Sequence, residues 1–175
     1  MQNTVIIALL LLLPLAVAAK QTNPVTTVKS VDLNRYLGKW YQFAYFPNNF
    51  QPRDCGLTTA EYSLDKKGRI IVLNTCYEDA TGNRIKKQAS GKAYPVDKTN
   101  SKLKVSFFWP FKGDYWIVRL DPNYQLSIVS DPQRKYLWIL TRSQSMAKVQ
   151  YQELVNWLNN NGWDTGKLVV TGTLR

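Results

Sequence analysis

The chain has 175 residues, 45% of them hydrophobic, with 23 Lys and Arg against 12 Asp and Glu, a globular composition long enough for one domain with a real core. The formal charge of +11 points to acidic partners, and there is no His anywhere, so the usual general base near neutral pH and the commonest transition-metal ligand are both missing. Metal-dependent chemistry and Ser- or Cys-His catalysis are excluded, and no cofactor is expected.

Met1 to Ala19 carries no charge and has an apolar core from Val5 to Leu13, followed by Pro14 and the small residues Ala16 to Ala19. This reads as a cleaved secretory signal, too short for a membrane span. No Lys or Arg precedes the core, and no Cys stands at the small-residue site to accept a lipid. Soluble export, with cleavage near Ala18 or Ala19, is therefore expected, to the periplasm, the periplasmic side of an outer membrane, or the outside. For an exported chain of charge +11 the acidic partner at hand is an anionic membrane surface. Nucleic acid is not expected, because the basic residues are dispersed over strands and turns. Cys55 and Cys76 are the only thiols, and in an exported chain they predict one disulfide, worth about 3 kcal/mol.

Lys20 to Ser30 is polar and β-branched with Pro24, and reads as extended and only partly ordered. Asp32 is placed to cap a single helical turn, Leu33 to Leu37, ended by Gly38. Strand patterns follow at Lys39–Phe46, Thr58–Leu64, Arg69–Tyr77, Ile85–Tyr94, Lys102–Trp109, Asp114–Leu120, Tyr124–Ser130 and Lys135–Arg142, separated by Gly-, Pro-, Asn- and Asp-rich turns. Eight antiparallel strands at such regular spacing suggest a sandwich or a closed up-and-down barrel, and closure removes the exposed edges. Ser145 is placed to cap a helix from Met146 to Asn160 whose apolar stripe is Ala147, Tyr151, Leu154 and Leu158, and Lys167 to Thr171 reads as a last short strand. That helix must pack outside, since a small barrel has no room for it within. The planar guanidinium of Arg142, at the end of the eighth strand, is suited to lie over the Trp40 indole and donate to nearby carbonyls, locking the first strand to the last.

The phrases Leu33-Asn34-Arg35-Tyr36-Leu37-Gly38-Lys39-Trp40-Tyr41, Ala60-Glu61-Tyr62-Ser63-Leu64, Gly91-Lys92-Ala93-Tyr94, Leu103 to Phe108 before Pro110-Phe111, and Asp131 to Arg142 together resemble the lipocalin family, in the group that holds the bacterial lipocalins and apolipoprotein D. The resemblance spans Val31 to Val170. It implies an all-β fold, an eight-stranded antiparallel up-and-down calyx closed below by the helical turn, with one C-terminal helix packed outside. Residues 1–19 are then the signal, 20–30 the extended segment and 31–175 the barrel domain. A fatty acid or lysophospholipid is the implied ligand, in envelope storage or transport. The missing lipid-accepting Cys departs from the bacterial pattern.

Alternation and the family pattern together put Gln42, Ala44, Phe46, Thr58, Ala60, Tyr62, Val72 and Asn74 on the inner face, with Ala89, Leu103, Val105, Phe107, Trp109, Tyr136, Trp138 and Leu140 from later strands. From Asp114 to Leu120 either Trp116 and Val118 or Tyr115 and Ile117 point inward; the cost of burying Arg119 favours the first pair. The expected ligand contacts are Phe46, Ala60, Tyr62, Val72, Asn74, Val105, Phe107, Trp109, Trp116 and Trp138, with Asn74 and Tyr62 as polar candidates for a head group. Gly38, Trp40 and Arg142 are assigned to closure of the narrow end. The inner row as read holds no Asp, Glu or Lys, which speaks for a carrier over an enzyme on the same scaffold; a third reading is an interaction protein using the loop from Pro47 to Gly56. Either a monomer or a homodimer fits the sequence.

Overall fold

Alternating side chains and turn residues fold into eight consecutive antiparallel strands: β1 (Gly38–Tyr45), β2 (Leu57–Leu64), β3 (Ile70–Tyr77), β4 (Ile85–Pro95), β5 (Lys102–Phe108), β6 (Phe111–Leu120), β7 (Leu126–Ser130) and β8 (Leu137–Thr141). The computed structural model describes residues 23–175, so the expected signal at residues 1–19 and the first residues of the extended segment lie outside the described residues. Each strand pairs with the next, and β1 pairs with β8 in turn, with Tyr41 opposite Thr141 and Tyr45 opposite Trp138. The meander is thereby a closed barrel.

Ahead of the barrel, Asp32 accepts a hydrogen bond from the Asn34 amide at 2.9 Å and starts the one-turn helix α1 (Leu33–Tyr36). Gly38 turns the chain out of α1 with φ of +88°, a conformation that favours glycine. The segment before α1 is more firmly held than its composition predicts. The Val28 and Val31 amides donate to the carbonyls of Ile117 and Thr99, Val25 is buried outside the barrel wall and Val31 inside it.

After β8 come β9 (Ser145–Met146), α2 (Lys148–Asn160), a 3-10 turn at Thr165–Lys167, β10 (Val169–Val170) and β11 (Thr173–Leu174). Ser145 is not the helix cap: its backbone pairs with Thr173 in a short parallel ladder, and α2 starts after Ala147 without a side-chain cap. β10 pairs with Ala44 and Tyr45 of β1, beyond Tyr41, where the β1–β2 pairing ends.

Two cores follow from this layering. An inner core at one end of the barrel holds Tyr36, Trp40, Tyr62, Leu103, Ile117, Val129 and Leu140. An outer core joins α2, through Leu154 and Leu158, to the outward side chains Phe43, Ile128, Leu137 and Ile139. Every residue of β7 is buried, because that strand has the barrel interior on one face and the helix layer on the other.

Candidate functional site

The closed end is built on Arg142. Its guanidinium lies 3.8 Å from the Trp40 ring centroid, and its nitrogens donate to the carbonyls of Arg35, Tyr36 and Leu37, of Lys39, and of Tyr124. These include carbonyls at the C-terminal end of α1 that no helical amide can reach. The Trp40 indole N–H donates to the Tyr36 carbonyl at 2.8 Å. The Arg142 Nη1 lies 3.5 Å from the point where a Cβ on residue 38 would stand, an ordinary contact, so it is the positive φ rather than a shortage of space that calls for Gly38.

Above this plug lies a buried chain of hydroxyls. Tyr115 Oη is 2.7 Å from Tyr62 Oη and 2.9 Å from Tyr36 Oη, and Tyr36 Oη is 3.0 Å from Ser127 Oγ. Burial pushes the Tyr36 phenol up to about 12, and burial, with the neighbouring phenols, raises Tyr62 and Tyr115 as well. All three stay protonated at neutral pH and serve as hydrogen-bond partners rather than bases.

Burial is graded along the barrel. At the closed end the inward side chains Trp40, Tyr62, Val72, Leu103 and Leu140 are buried. Nearer the other end the inward residues Thr58, Ala60, Asn74, Ala89, Val105 and Trp138 are only half-buried, although each faces across a closed wall. Ala60 stands opposite Asn74, and Asn74 opposite Ala89, so small side chains on three neighbouring strands leave the space open. Among the described residues the Asn74 side chain makes no hydrogen bond. Phe107 is half-buried against the inner core, and its ring packs so close to Gly91 that an added Cβ would meet it at 2.8 Å.

Three expected ligand contacts, Phe46, Trp109 and Trp116, lie elsewhere, as do the expected inner residues Ala44 and Val118. The β1–β8 register shifts between Gln42 and Ala44: Gln42 stays inside, while Phe43, Ala44 and Phe46 all join the outer core under α2 and Tyr45, opposite Trp138, takes the inner row. Phe46 is therefore an outer-wall residue. A second shift in β6 falls between Ile117 and Arg119. It places Tyr115, Ile117 and Leu120 against the inner core and Trp116 and Val118 against the outer one, while Arg119 still points outward, 5.0 Å from the Trp157 ring. The premise about Arg119 is right, but the bulge reverses the alternation behind it, so Trp116 is not an inward residue. Trp109 leaves the inner row because β5 ends at Phe108; Trp109-Pro110 forms the hairpin turn, and Trp109 is 86% exposed.

The open end also holds residues that alternation alone does not reveal. The Gln51 side chain, in the loop after β1, donates to Gln42 Oε1 at 3.0 Å and accepts from the Trp138 indole at 3.1 Å. Phe50 packs on Tyr136, centroids 4.9 Å apart. The same loop is tied to β3 by the Cys55–Cys76 disulfide and to β4 by the Asp54–Lys86 ion pair. Lys87, opposite Cys76, adds a cation in inner register at the rim. Among the described residues no three His, Cys, Asp or Glu side chains are grouped to hold a metal ion.

A closed eight-stranded barrel, plugged at one end and lined by small and apolar side chains toward the other, defines a binding protein for a small hydrophobic ligand. The lipocalin-like domain family matches residues 31–173, and the chain belongs to that family. It is 40% identical to the outer membrane lipoprotein Blc of Vibrio cholerae, over 83% of this chain and 84% of that one. Temperature-induced lipocalin-1 of Arabidopsis thaliana is 38% identical, over 81% and 78%, and apolipoprotein D of Macaca fascicularis 36%, over 82% and 77%. Insecticyanin of the tobacco hornworm Manduca sexta shares the fold with a TM-score of 0.65 at 20% identity, over 86% of this chain and 85% of that one.

Proposed function

We propose that this chain is an exported, non-enzymatic carrier of fatty acids or lysophospholipids, serving their storage or transport at a cell envelope. The observation that carries this reading is the graded burial of the inward row: a packed floor of aromatic residues gives way to half-buried Ala60, Ala89, Val105 and Trp138. A single acyl chain fits such a space by apolar burial alone. Its polar end belongs at the mouth, where the Asn74 amide and Lys87 offer a donor and a positive charge, whereas in the floor Arg142 is already engaged with backbone carbonyls and the phenols with one another's hydroxyls. Export is supported by the disulfide and by the relatives called outer membrane lipoprotein.

The test is titration of the delipidated protein with a fluorescent fatty acid, followed by competition with unlabelled fatty acid, lysophospholipid and a retinoid. Saturable binding displaced by the first two supports the proposal. Failure of every apolar probe to bind folded, delipidated protein would overturn it.

A further inference from the structure

The most exposed aromatic residues of the described chain stand together. Phe108 and Phe111 face each other across the β5–β6 hairpin, each 77% exposed, with Trp109 at 86% on the turn between them. A hairpin tip of Phe-Trp-Pro-Phe with no core beneath it is unexpected in a surface that lives only in water. In the antiparallel meander this turn lies at the same end of the barrel as the loop after β1 and the β3–β4 turn, which is the mouth.

The surroundings of the tip are basic. Beside it, on the outer wall, runs a cleft of about 360 Å³ bordered by Trp109, Tyr94, Ser106 and Lys92. Lys112 reaches across this wall to lie 4.8 Å from the Tyr94 ring. Neither Lys92 nor Lys112 belongs to any of the ion pairs among the described residues, whereas Arg84, Lys86 and Lys104 are each matched with a carboxylate. Two cations that no carboxylate among the described residues neutralises therefore stand next to the exposed aromatics.

We propose that the Phe108-Trp109-Pro110-Phe111 tip is a membrane anchor that inserts into the interfacial layer of an anionic bilayer, with Lys92 and Lys112 on the lipid phosphates and the barrel mouth held at the surface. Trp and Phe at the depth of the head groups with lysines just behind them is the arrangement that an interfacial anchor requires. A protein partner would need a concave apolar site of its own to receive a convex tip of this kind, whereas a bilayer interface receives it without one. The proposal goes beyond the carrier reading and stands whichever molecule the barrel holds.

The full chain is tested by sedimentation with phosphatidylcholine vesicles, with and without phosphatidylglycerol, and by quenching of tryptophan fluorescence with brominated lipid. The parent is expected to prefer phosphatidylglycerol vesicles and to lose that preference in high salt. Trp109→Phe keeps the sedimentation and loses most of the quenching. The triple variant Phe108→Ser, Trp109→Ser, Phe111→Ser binds vesicles on the order of a hundredfold more weakly, yet melts like the parent and takes up the fluorescent fatty acid unchanged. Equal sedimentation of parent and triple variant would overturn the proposal, as would undiminished quenching in Trp109→Phe. A parent that ignores phosphatidylglycerol vesicles and is instead a dimer in solution, made monomeric by the triple variant, would assign the tip to a second copy of this chain.

Discussion

Arg142 and Trp40 stand 3.8 Å apart, guanidinium over indole, and the same guanidinium holds the carbonyls at the end of α1. One side chain thus joins the last barrel strand, the first barrel strand and the helical floor. Arg142→Gln removes the stacked cation and leaves several carbonyls without a donor, at a cost of about 2–4 kcal/mol. The expected result is a lower Tm with nearly unchanged affinity for the fatty-acid probe in the protein that remains folded. A variant that melts like the parent but cannot bind would move Arg142 from the floor into the site.

The two register shifts give paired expectations for the wall. Ala60 is inward and half-buried opposite Asn74, so Ala60→Phe fills the space, lowering probe affinity roughly tenfold or more while leaving Tm near the parent value. Phe46 is buried against α2, so Phe46→Ala opens a cavity costing about 3–5 kcal/mol and leaves affinity untouched. Calorimetry and probe titration on both variants check this. If Phe46→Ala abolished binding in a fully folded sample, the inner row of β1 would have to be read the other way.

The contrast between these two residues also shows what the chain discloses before it is folded. Strand number and order follow from alternation and turn residues, closure from the family resemblance, and Arg142 with Trp40 from their chemistry and their places on the last and first strands. Alternation carries an inner or outer assignment only as far as the next bulge. Beyond Gln42 and beyond Ile117 one extra residue reverses the parity, which misplaced Phe46, hid Tyr45, and tipped the open choice in β6 to Trp116 and Val118 over Tyr115 and Ile117. Nothing local marks those bulges: neither has a glycine, and the side chains they turn outward, Ala44, Phe46 and Val118, belong to the outer core. The clasp made by Gln51 was invisible for a related reason, since a loop side chain has no periodicity to read.

At the mouth, Asn74 lacks a side-chain hydrogen bond among the described residues and Lys87 carries a charge in inner register. Substituting Asn74→Ala with Lys87→Gln is expected to weaken fatty-acid binding several-fold and binding of the matching fatty alcohol much less, because only the carboxylate gains from the cation. Competition titrations with the two ligands measure the difference. Equal weakening of both would place the polar end elsewhere, with the tyrosine floor as the alternative.

The Cys55–Cys76 bond, spanning 21 positions, restrains the unfolded chain and anchors the loop that carries Phe50 and Gln51. Cys55→Ser with Cys76→Ser is expected to cost about 3 kcal/mol, a drop in Tm of roughly 6–12 °C for a chain of this size. The Gln51 clasp on Trp138 should loosen with it. Thermal melts with and without reductant check the first expectation, and an unchanged midpoint would show that the bond adds nothing to the barrel.

The buried phenols make stability fall at alkaline pH. In the unfolded chain a tyrosine loses its proton near pH 10; in the folded chain Tyr36 holds it to about pH 12, and Tyr62 and Tyr115 are shifted the same way. Between those limits the folded state binds more protons than the unfolded state, so stability that is fully present below pH 10 is lost as pH rises toward 12, on the order of 2–3 kcal/mol for Tyr36 alone. Tm should therefore be steady from pH 8 to 9.5 and drop steeply above 10, with tyrosinate absorbance at 295 nm rising together with unfolding. Tyr62→Phe removes one titrating group and should shallow the drop, while starting from a lower Tm because Tyr115 loses its 2.7 Å partner. A parent whose tyrosines all titrate near pH 10 without unfolding would show that solvent reaches the floor of the barrel, and the hydroxyl chain would then belong to the binding space rather than to its closure.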